Sequence, residues 1–359
     1  MTLRLRPLED AADAANHVGG GLEAAWDAFV LAHPEGTFFH RAAWRRVIAR
    51  AFGHATHYVA AERDGAIVGV LPLARVRTML FGDSLISVPF CVNGGPLAAD
   101  QEAFQALVAH AESVMRGAGV PVLEFRFLHA PPEGWLDAAD WPVRSDLYVI
   151  FRRAITGDDD ANMKAIPRKQ RAMVRKGITA GLTSEIDRDT RRLHPIYAES
   201  VRNLGTPVFP QRYFDILMEA FGEDADIVTI LDGATPIASV MNFYFRDEVL
   251  PYYGGGTRAA RDRYANDFMY WEVMRRAAGR GFRLFDYGRS KVGTGAYSFK
   301  KNWGFEPAPL AYRFRLAPGA SIPDINPLNP KYRLFIAAWK RLPLPVANLL
   351  GPPIVRGLG

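Results

Sequence analysis

The stretches YVAAERDGAIVGVL (58–71) and IVTILDGATPIASVM (227–241) share one plan: an apolar strand, an Asp-Gly turn and a second apolar strand. Asp-Gly between two such runs is a strong hairpin signal, because glycine admits the left-handed backbone that a tight turn requires. Both stretches continue alike. The first passes through Asn93-Gly94-Gly95 into a helix expected near 101–116, then Gly117-Ala118-Gly119 and the strand VLEFRF (122–127). The second passes through Gly254-Gly255-Gly256 into a helix near 266–278, then Gly279-Arg280-Gly281 and the strand RLFDYG (283–288). Asp64 and Asp232 lie 168 residues apart, and Glu124 and Asp286 lie 162 apart. A near-constant offset held over five elements indicates an internal duplication.

Two copies also fit the length of 359 residues, since single cores rarely grow beyond ~250–300 residues. The expected division is a first domain over 1–155, a second over 156–316 and a Pro-rich basic tail over 317–359, with Gly157-Asp158-Asp159-Asp160 marking the boundary. The order αβββαβ, with mixed strands, predicts an α/β (α+β) sheet covered by helices, twice. Hydrophobic residues at 49% and charged residues at 23% exclude a disordered chain and a membrane bundle. Cys91 stands alone, which excludes a disulfide framework and a thiolate metal site. The N-terminal sequence lacks a signal-peptide pattern and no apolar run reaches spanning length, so a cytoplasmic location is expected.

The net charge of +6 points to an anionic partner. Six basic residues and no acid lie between Lys164 and Lys176, in a helix for which Pro167 suits the first turn. Arg168, Arg171 and Arg175 are spaced by three and four residues, so they share one helix face. Planar guanidinium forks at that pitch match phosphate oxygens. A merely solvated face explains the same pattern, and so does a nucleic-acid backbone.

The segment SKVGTGAYSFKKNWGF (290–305) follows the strand ending in Asp286-Tyr287-Gly288-Arg289. Ends of sheet strands are where open α/β folds bind ligands. Lys300 or Lys301 can hold the oxyanion that forms when an amine attacks an ester or thioester, and Asp286 can orient that amine or take its proton. The plain alternative is an Arg289–Asp286 ion pair beside a surface Lys-Lys. Gly254-Gly255-Gly256, ahead of a helix capped by Asn266 or Asp267, suits a phosphate loop; no Lys-Ser or Lys-Thr pair follows, so it is not a nucleotide-triphosphate loop. Gly82-Asp83-Ser84-Leu85 spells an esterase start, but the last histidine is His194, too early to serve as its base. His54 and His57 lack the partners of a metal site, so no metal is expected.

IPRKQRAMVRKGITAGL (166–182), NLGTPVFPQRYFDIL (203–217), ANDFMYWEVMRRAAGRGFRLFDYGRSK (265–291) and YSFKKNWGFE (297–306) together resemble the FemAB group of tandem acetyltransferase-like (GNAT-fold) proteins. More closely, they resemble its branch associated with the exosortase/PEP-CTERM and exopolysaccharide system. The resemblance covers roughly residues 35–315 and implies two tandem GNAT-like domains with mixed sheets flanked by helices. It also implies transfer of an acyl or aminoacyl group onto an amine of a cell-envelope or exopolysaccharide precursor, with no bound cofactor. The family pattern Phe-Lys-x-x-aromatic-Gly is matched by Phe299, Lys300, Trp303 and Gly304, which favours Lys300 over Lys301 as the catalytic lysine. Asp286, with Tyr253, is expected to position the nucleophile. The resemblance sets Arg171 and Arg175 on acceptor phosphates and Tyr252 and Tyr253 along the groove; Arg168, Arg289, Tyr297, Lys301 and Trp303 are further expected substrate contacts.

Two donors stay open, aminoacyl-tRNA and acyl-CoA. Members that use tRNA carry a long helical hairpin in the second unit, for which the segment between the strand near 183 and the helix at 211 leaves no room. The Arg/Gln-x-x-Gly-x-Gly/Ala loop of CoA-using relatives is likewise not evident at 254–266. A non-catalytic binding module of the envelope-assembly machinery is the competing class.

The tail adds one more expectation. Tyr332, Phe335, Ile336 and Trp339 form a helical stripe among Lys331, Arg333, Lys340 and Arg341, a pattern suited to peripheral membrane contact through 329–342. A packed terminal helix fits it equally. Contact with lipid would make a lipid-linked, phosphate-bearing precursor the natural acceptor.

Overall fold

A computed structural model of the chain describes residues 2–8, 19–78, 81–323 and 330–359. In chain order its strands are β1 (Leu3–Pro7), β2 (Val59–Arg63), β3 (Ala66–Leu71), β4 (Leu73–Thr78), β5 (Gly82–Ser87), β6 (Leu97–Ala98), β7 (Val122–Phe127), β8 (Val143–Arg144), β9 (Tyr148–Ala154), β10 (Thr183–Asp187), β11 (Ala225–Asp232), β12 (Thr235–Phe245), β13 (Glu248–Gly256), β14 (Leu284–Lys291), β15 (Pro307–Pro309) and β16 (Ala311–Leu316). Its α-helices are α1 (Gly19–Ala32), α2 (Ala43–Phe52), α3 (Gln101–Gly117), α4 (Asp159–Ala165), α5 (Arg168–Thr179), α6 (Leu193–Leu204), α7 (Gln211–Phe221), α8 (Arg258–Asp262), α9 (Ala265–Gly279), α10 (Gly295–Asn302), α11 (Pro330–Trp339) and α12 (Leu344–Val355).

The two Asp-Gly turns are hairpins, β2–β3 and β11–β12, each antiparallel and each carrying a register shift two residue pairs from its turn. Asp64 and Gly65 both adopt positive φ, as a primed two-residue turn demands. In both copies a helix then crosses between parallel strands: α3 joins β5 to β7, and α9 joins β13 to β14. The duplication is thus repeated in strand direction and in irregularities.

The copies differ in how the sheet is kept. The second unit has one seven-stranded sheet, β10-β11-β12-β13-β14-β9-β15. The first is divided into β1-β2-β3-β6 and β4-β5-β7-β16-β8. Pro72 stands between β3 and β4, and proline has no N–H for the ladder.

Long-range pairing also moves the expected boundary. One unit comprises Met1–Ser145, Leu310–Ile325 and Gly357–Gly359, the other Asp146–Pro309 and Asn326–Arg356. The strand over 148–154, assigned to the first domain from the sequence, pairs with β14 and β15 and so belongs to the second. The strand over 311–316, assigned to the second, pairs with β7 and β8 and completes the first. Both are short strands mixing aromatic and aliphatic residues with two arginines each, and their pattern fits either sheet. Residues 324–329 of the expected tail lie outside the described residues; α11 and α12 belong to the second unit.

Two corrections concern loops. Gly254, Gly255 and Gly256 are the end of β13, not a phosphate loop. A Cβ at Gly255 would lie 2.4 Å from Ser200 of α6, and one at Gly256 2.5 Å from Asn266 of α9, so the glycines let helices approach the strand. Asp158 is no linker residue; its side chain caps α4 by accepting the N–H groups of Asp160 and Ala161.

The second unit's core joins Phe151, Val240, Val249, Phe268, Met269, Trp271, Phe285 and Trp303 under α9 and α5. Each such side chain contributes about 1.5–3 kcal/mol on burial.

Candidate active site

β13 and β14 are parallel but pair only at Glu248–Leu284 and Val249–Phe285. Beyond those pairs each strand is irregular. β13 shifts register opposite Met241 and Asn242, with Tyr252 as the extra residue, and β14 shifts between Asp286 and Arg289. Gly288 lies inside the second shift at φ 72°, a conformation glycine holds without strain.

Asp286 is buried on β14. Its Oδ1 accepts the Gly288 N–H at 2.7 Å, and its Oδ2 lies 3.3 Å from Arg152 Nε on the neighbouring β9. Arg152 also pairs with Glu248 of β13. Burial pushes the Asp286 carboxyl up to about 6; Arg152 opposes this and Glu248 adds to it. The ion pair is therefore Asp286–Arg152, not Asp286–Arg289. Arg289 instead lies over the Tyr148 ring at 4.5 Å.

Lys300 projects from α10, whose first turn is capped by Thr294 Oγ1 accepting the Tyr297 N–H. The Lys300 ammonium donates to the carbonyls of Gly288 (3.1 Å) and Arg289 (2.9 Å) and lies 5.7 Å from the centroids of both the Phe151 and Tyr287 rings. Burial holds it down to about 7, with Asp286 raising and Arg289 lowering it. Two donors of a charged lysine are thus used and the third is left over. Lys301, the next residue, is exposed.

Tyr253 is drawn elsewhere. Its hydroxyl lies 2.7 Å from that of Tyr213, inside an aromatic cluster with Tyr197, Phe209 and Phe214 of the α6–α7 region. Tyr252 packs edge-on against Tyr253 at 4.7 Å and remains partly exposed. Tyr297 sits edge-on to Phe151 at 5.6 Å. Trp303 is a core residue, fully buried, with its indole N–H donated to Asp267 at 3.0 Å, so it has no surface to offer a substrate. Gln170 satisfies the same buried carboxylate.

The arginine ladder lines a cleft of about 820 Å³ between α5 and the start of α9. Arg168, Arg171, Arg175 and Lys176 face Asp262, Arg263 and Tyr264 across it. Among the described residues Arg168 and Arg175 have no side-chain partner, whereas Arg171 Nε donates to the Ile166 carbonyl at 3.2 Å and Arg263 is held by Asp232 at 2.8 Å. Lys176 rests on the Tyr264 ring. The start of α9 adds backbone N–H groups free of helical partners. Since α9 begins and α10 follows at the carboxyl ends of the parallel strands, cleft and lysine share one end of the sheet. Arg152, Glu248 and Arg263 were not singled out from the sequence and carry no local signal there; Gly288, the single glycine of β14, was visible only as part of the strand end.

A family model described as Acetyltransferase (GNAT) domain matches residues 162–301. The crystal structure of FemX superposes over 88% of this chain and 98% of its own, with a TM-score of 0.67 at 16% identity. A tandem GNAT protein from the clavulanic acid biosynthesis pathway superposes over 89% and 100% (TM-score 0.51, 16% identity). The C-terminal domain of a protein described as a lysylphosphatidylglycerol synthetase from Agrobacterium fabrum does so over 83% and 92% (TM-score 0.54, 13% identity). No curated protein matches the chain. The fold is a pair of tandem GNAT-like units.

Proposed function

We propose that the second unit transfers an acyl or aminoacyl group onto an amine of a phosphate-bearing cell-envelope precursor. The observation that carries this reading is the Lys300–Asp286 arrangement at the point where β13 and β14 part, at the same sheet end as the basic cleft. The attacking amine forms a bond to the donor's carbonyl carbon while the carbon–oxygen or carbon–sulfur bond to the leaving group breaks. The Lys300 ammonium supplies a hydrogen bond and charge to the tetrahedral oxyanion, and ionised Asp286 accepts the proton that the amine gives up. Arg168 and Arg175 hold the phosphates. Tyr252, partly exposed on the bulge of β13, and Arg289, Tyr297 and Lys301, near the strand end that holds Lys300, are the proposed substrate contacts, with Tyr253 packed behind Tyr252.

An acceptor from an exopolysaccharide system of the PEP-CTERM/exosortase type is the finer reading, supported by sequence resemblance. The donor is aminoacyl-tRNA or acyl-CoA, and the protein needs no resident cofactor. A competition titration tests this: labelled aminoacyl-tRNA is bound to the purified chain at near-physiological salt while acyl-CoA is added. Aminoacyl-dependent binding supports the tRNA donor and displacement supports acyl-CoA. Binding of neither, with no donor consumed in the presence of an amine, removes the transferase reading in favour of a binding module.

A further inference from the structure

The last two helices carry apolar side chains on their solvent side. α11 meets the end of α6 through Ile336, whose Cγ2 would lie 2.5 Å from a Cβ at Gly205. α12 buries Ala347, Gly351 and Val355, spaced by four residues, with Gly351 set against Val208. The outward face of α12 holds Leu349 (76% exposed) and Leu350 (45%), and α11 exposes Leu334 (85%) and Phe335 (42%). α12 has no charged residue at all. A helix on a globular surface turns its polar side to water, so this inversion marks a contact surface.

The surrounding charge says what it contacts. Arg333, Lys340, Arg341 and Arg356 flank these side chains, and no acidic residue follows Asp324 in the sequence. A second copy of the chain would set this basic patch against itself, which costs several kcal/mol of like-charge repulsion. An anionic bilayer satisfies both features: leucines enter the acyl boundary and cations meet the headgroups. No helix among the described residues is long and apolar enough to cross a membrane, so the arrangement lies in the interface plane.

We propose that helices α11 and α12 dock the protein on an anionic lipid surface, through Leu334, Phe335, Leu349 and Leu350. The sequence pattern points to 329–342; residue 329 lies outside the described residues, and the structure adds the exposed leucines of α12 to that pattern. This inference does not depend on the transfer reaction, because its test needs no donor or acceptor.

The test is co-sedimentation of the full chain with vesicles of phosphatidylglycerol and phosphatidylethanolamine, and with pure phosphatidylcholine vesicles as control. Binding to the anionic vesicles is expected, weakening as salt is raised. Leu349→Glu and Leu334→Glu should each lower affinity by about tenfold or more, with melting curves like wild type because both positions are exposed. No binding to anionic vesicles, equal binding to phosphatidylcholine, or undiminished binding by both variants overturns the proposal. So does a dimer, seen by light scattering, that Leu349→Glu dissociates while vesicles are ignored.

Discussion

Asp286 and Lys300 are joined through a single backbone unit: the Gly288 N–H donates to the carboxylate at 2.7 Å, and the Gly288 carbonyl accepts from the ammonium at 3.1 Å. The bulge in β14 thereby fixes both charged groups at once, and neither depends on a flexible loop.

Removing the ammonium tests its role directly. Lys300→Met should lower turnover by about 10²–10³, the usual cost of losing one oxyanion donor. Its melting temperature at pH 7 should stay near wild type, because removing the buried charge's desolvation cost is offset by leaving the Gly288 and Arg289 carbonyls without a donor. Wild-type turnover in the variant would withdraw the assignment.

The pH profile should be a bell. Activity requires ionised Asp286, at about 6, and protonated Lys300, at about 7, so the rate rises with pH through the first value and falls above the second. Stability runs the other way. Folding raises the Asp286 value from 3.8, so the native state binds the extra proton between 3.8 and about 6 and stability falls as pH rises there. It lowers the Lys300 value from 10.5, so the unfolded chain binds the extra proton between about 7 and 10.5 and stability rises with pH there. Melting temperatures should dip between about 6 and 7, and an Asp286→Asn/Lys300→Met double variant should flatten the dip.

Gly288→Ala probes the shared backbone unit. At φ 72° an alanine is strained by about 1 kcal/mol. Its Cβ would also stand 4.0 Å from the ammonium, in ordinary contact, so steric exclusion is not the main effect. A small drop in melting temperature with a larger drop in kcat is expected; a loss of stability alone would make the bulge a purely structural feature.

Arg168 and Arg175 should act on binding. Removing one charge-assisted hydrogen bond costs about 1.5–3 kcal/mol, so each Ala variant should raise KM for the phosphate-bearing substrate by roughly 10–100-fold and leave kcat alone. Arg171, tied to the Ile166 carbonyl, should mix that effect with a loss of stability. An unaltered KM in the Arg168→Ala/Arg175→Ala variant would return the ladder to the status of a solvated helix face.

The duplication was readable because it rests on local signals, the two Asp-Gly turns and the glycines flanking α3 and α9. The lysine and the carboxylate were readable for the same reason, as neighbours of a strand end. Sheet membership of the strands at 148–154 and 311–316 was not, since partners such as Arg152 and Asp286 are set by pairing over more than a hundred residues. The sequence likewise cannot tell a groove-lining tryptophan from a core one. Only the Asp267 carboxylate beneath Trp303 decides that. The partner of the Tyr253 hydroxyl, Tyr213, lies 40 residues earlier and is likewise set by packing rather than by local sequence.

Strand β16 lies between β7 and β8 in the sheet, yet it is made after the whole of β9 through β15. On the ribosome the amino-terminal unit therefore cannot close its sheet until the second unit's strands have been synthesised. The second sheet, drawn from a continuous stretch, has every strand in hand first. Assembly thus runs against the order of synthesis, and a chain cut after Pro309 would strand the β7 edge open to foreign strands.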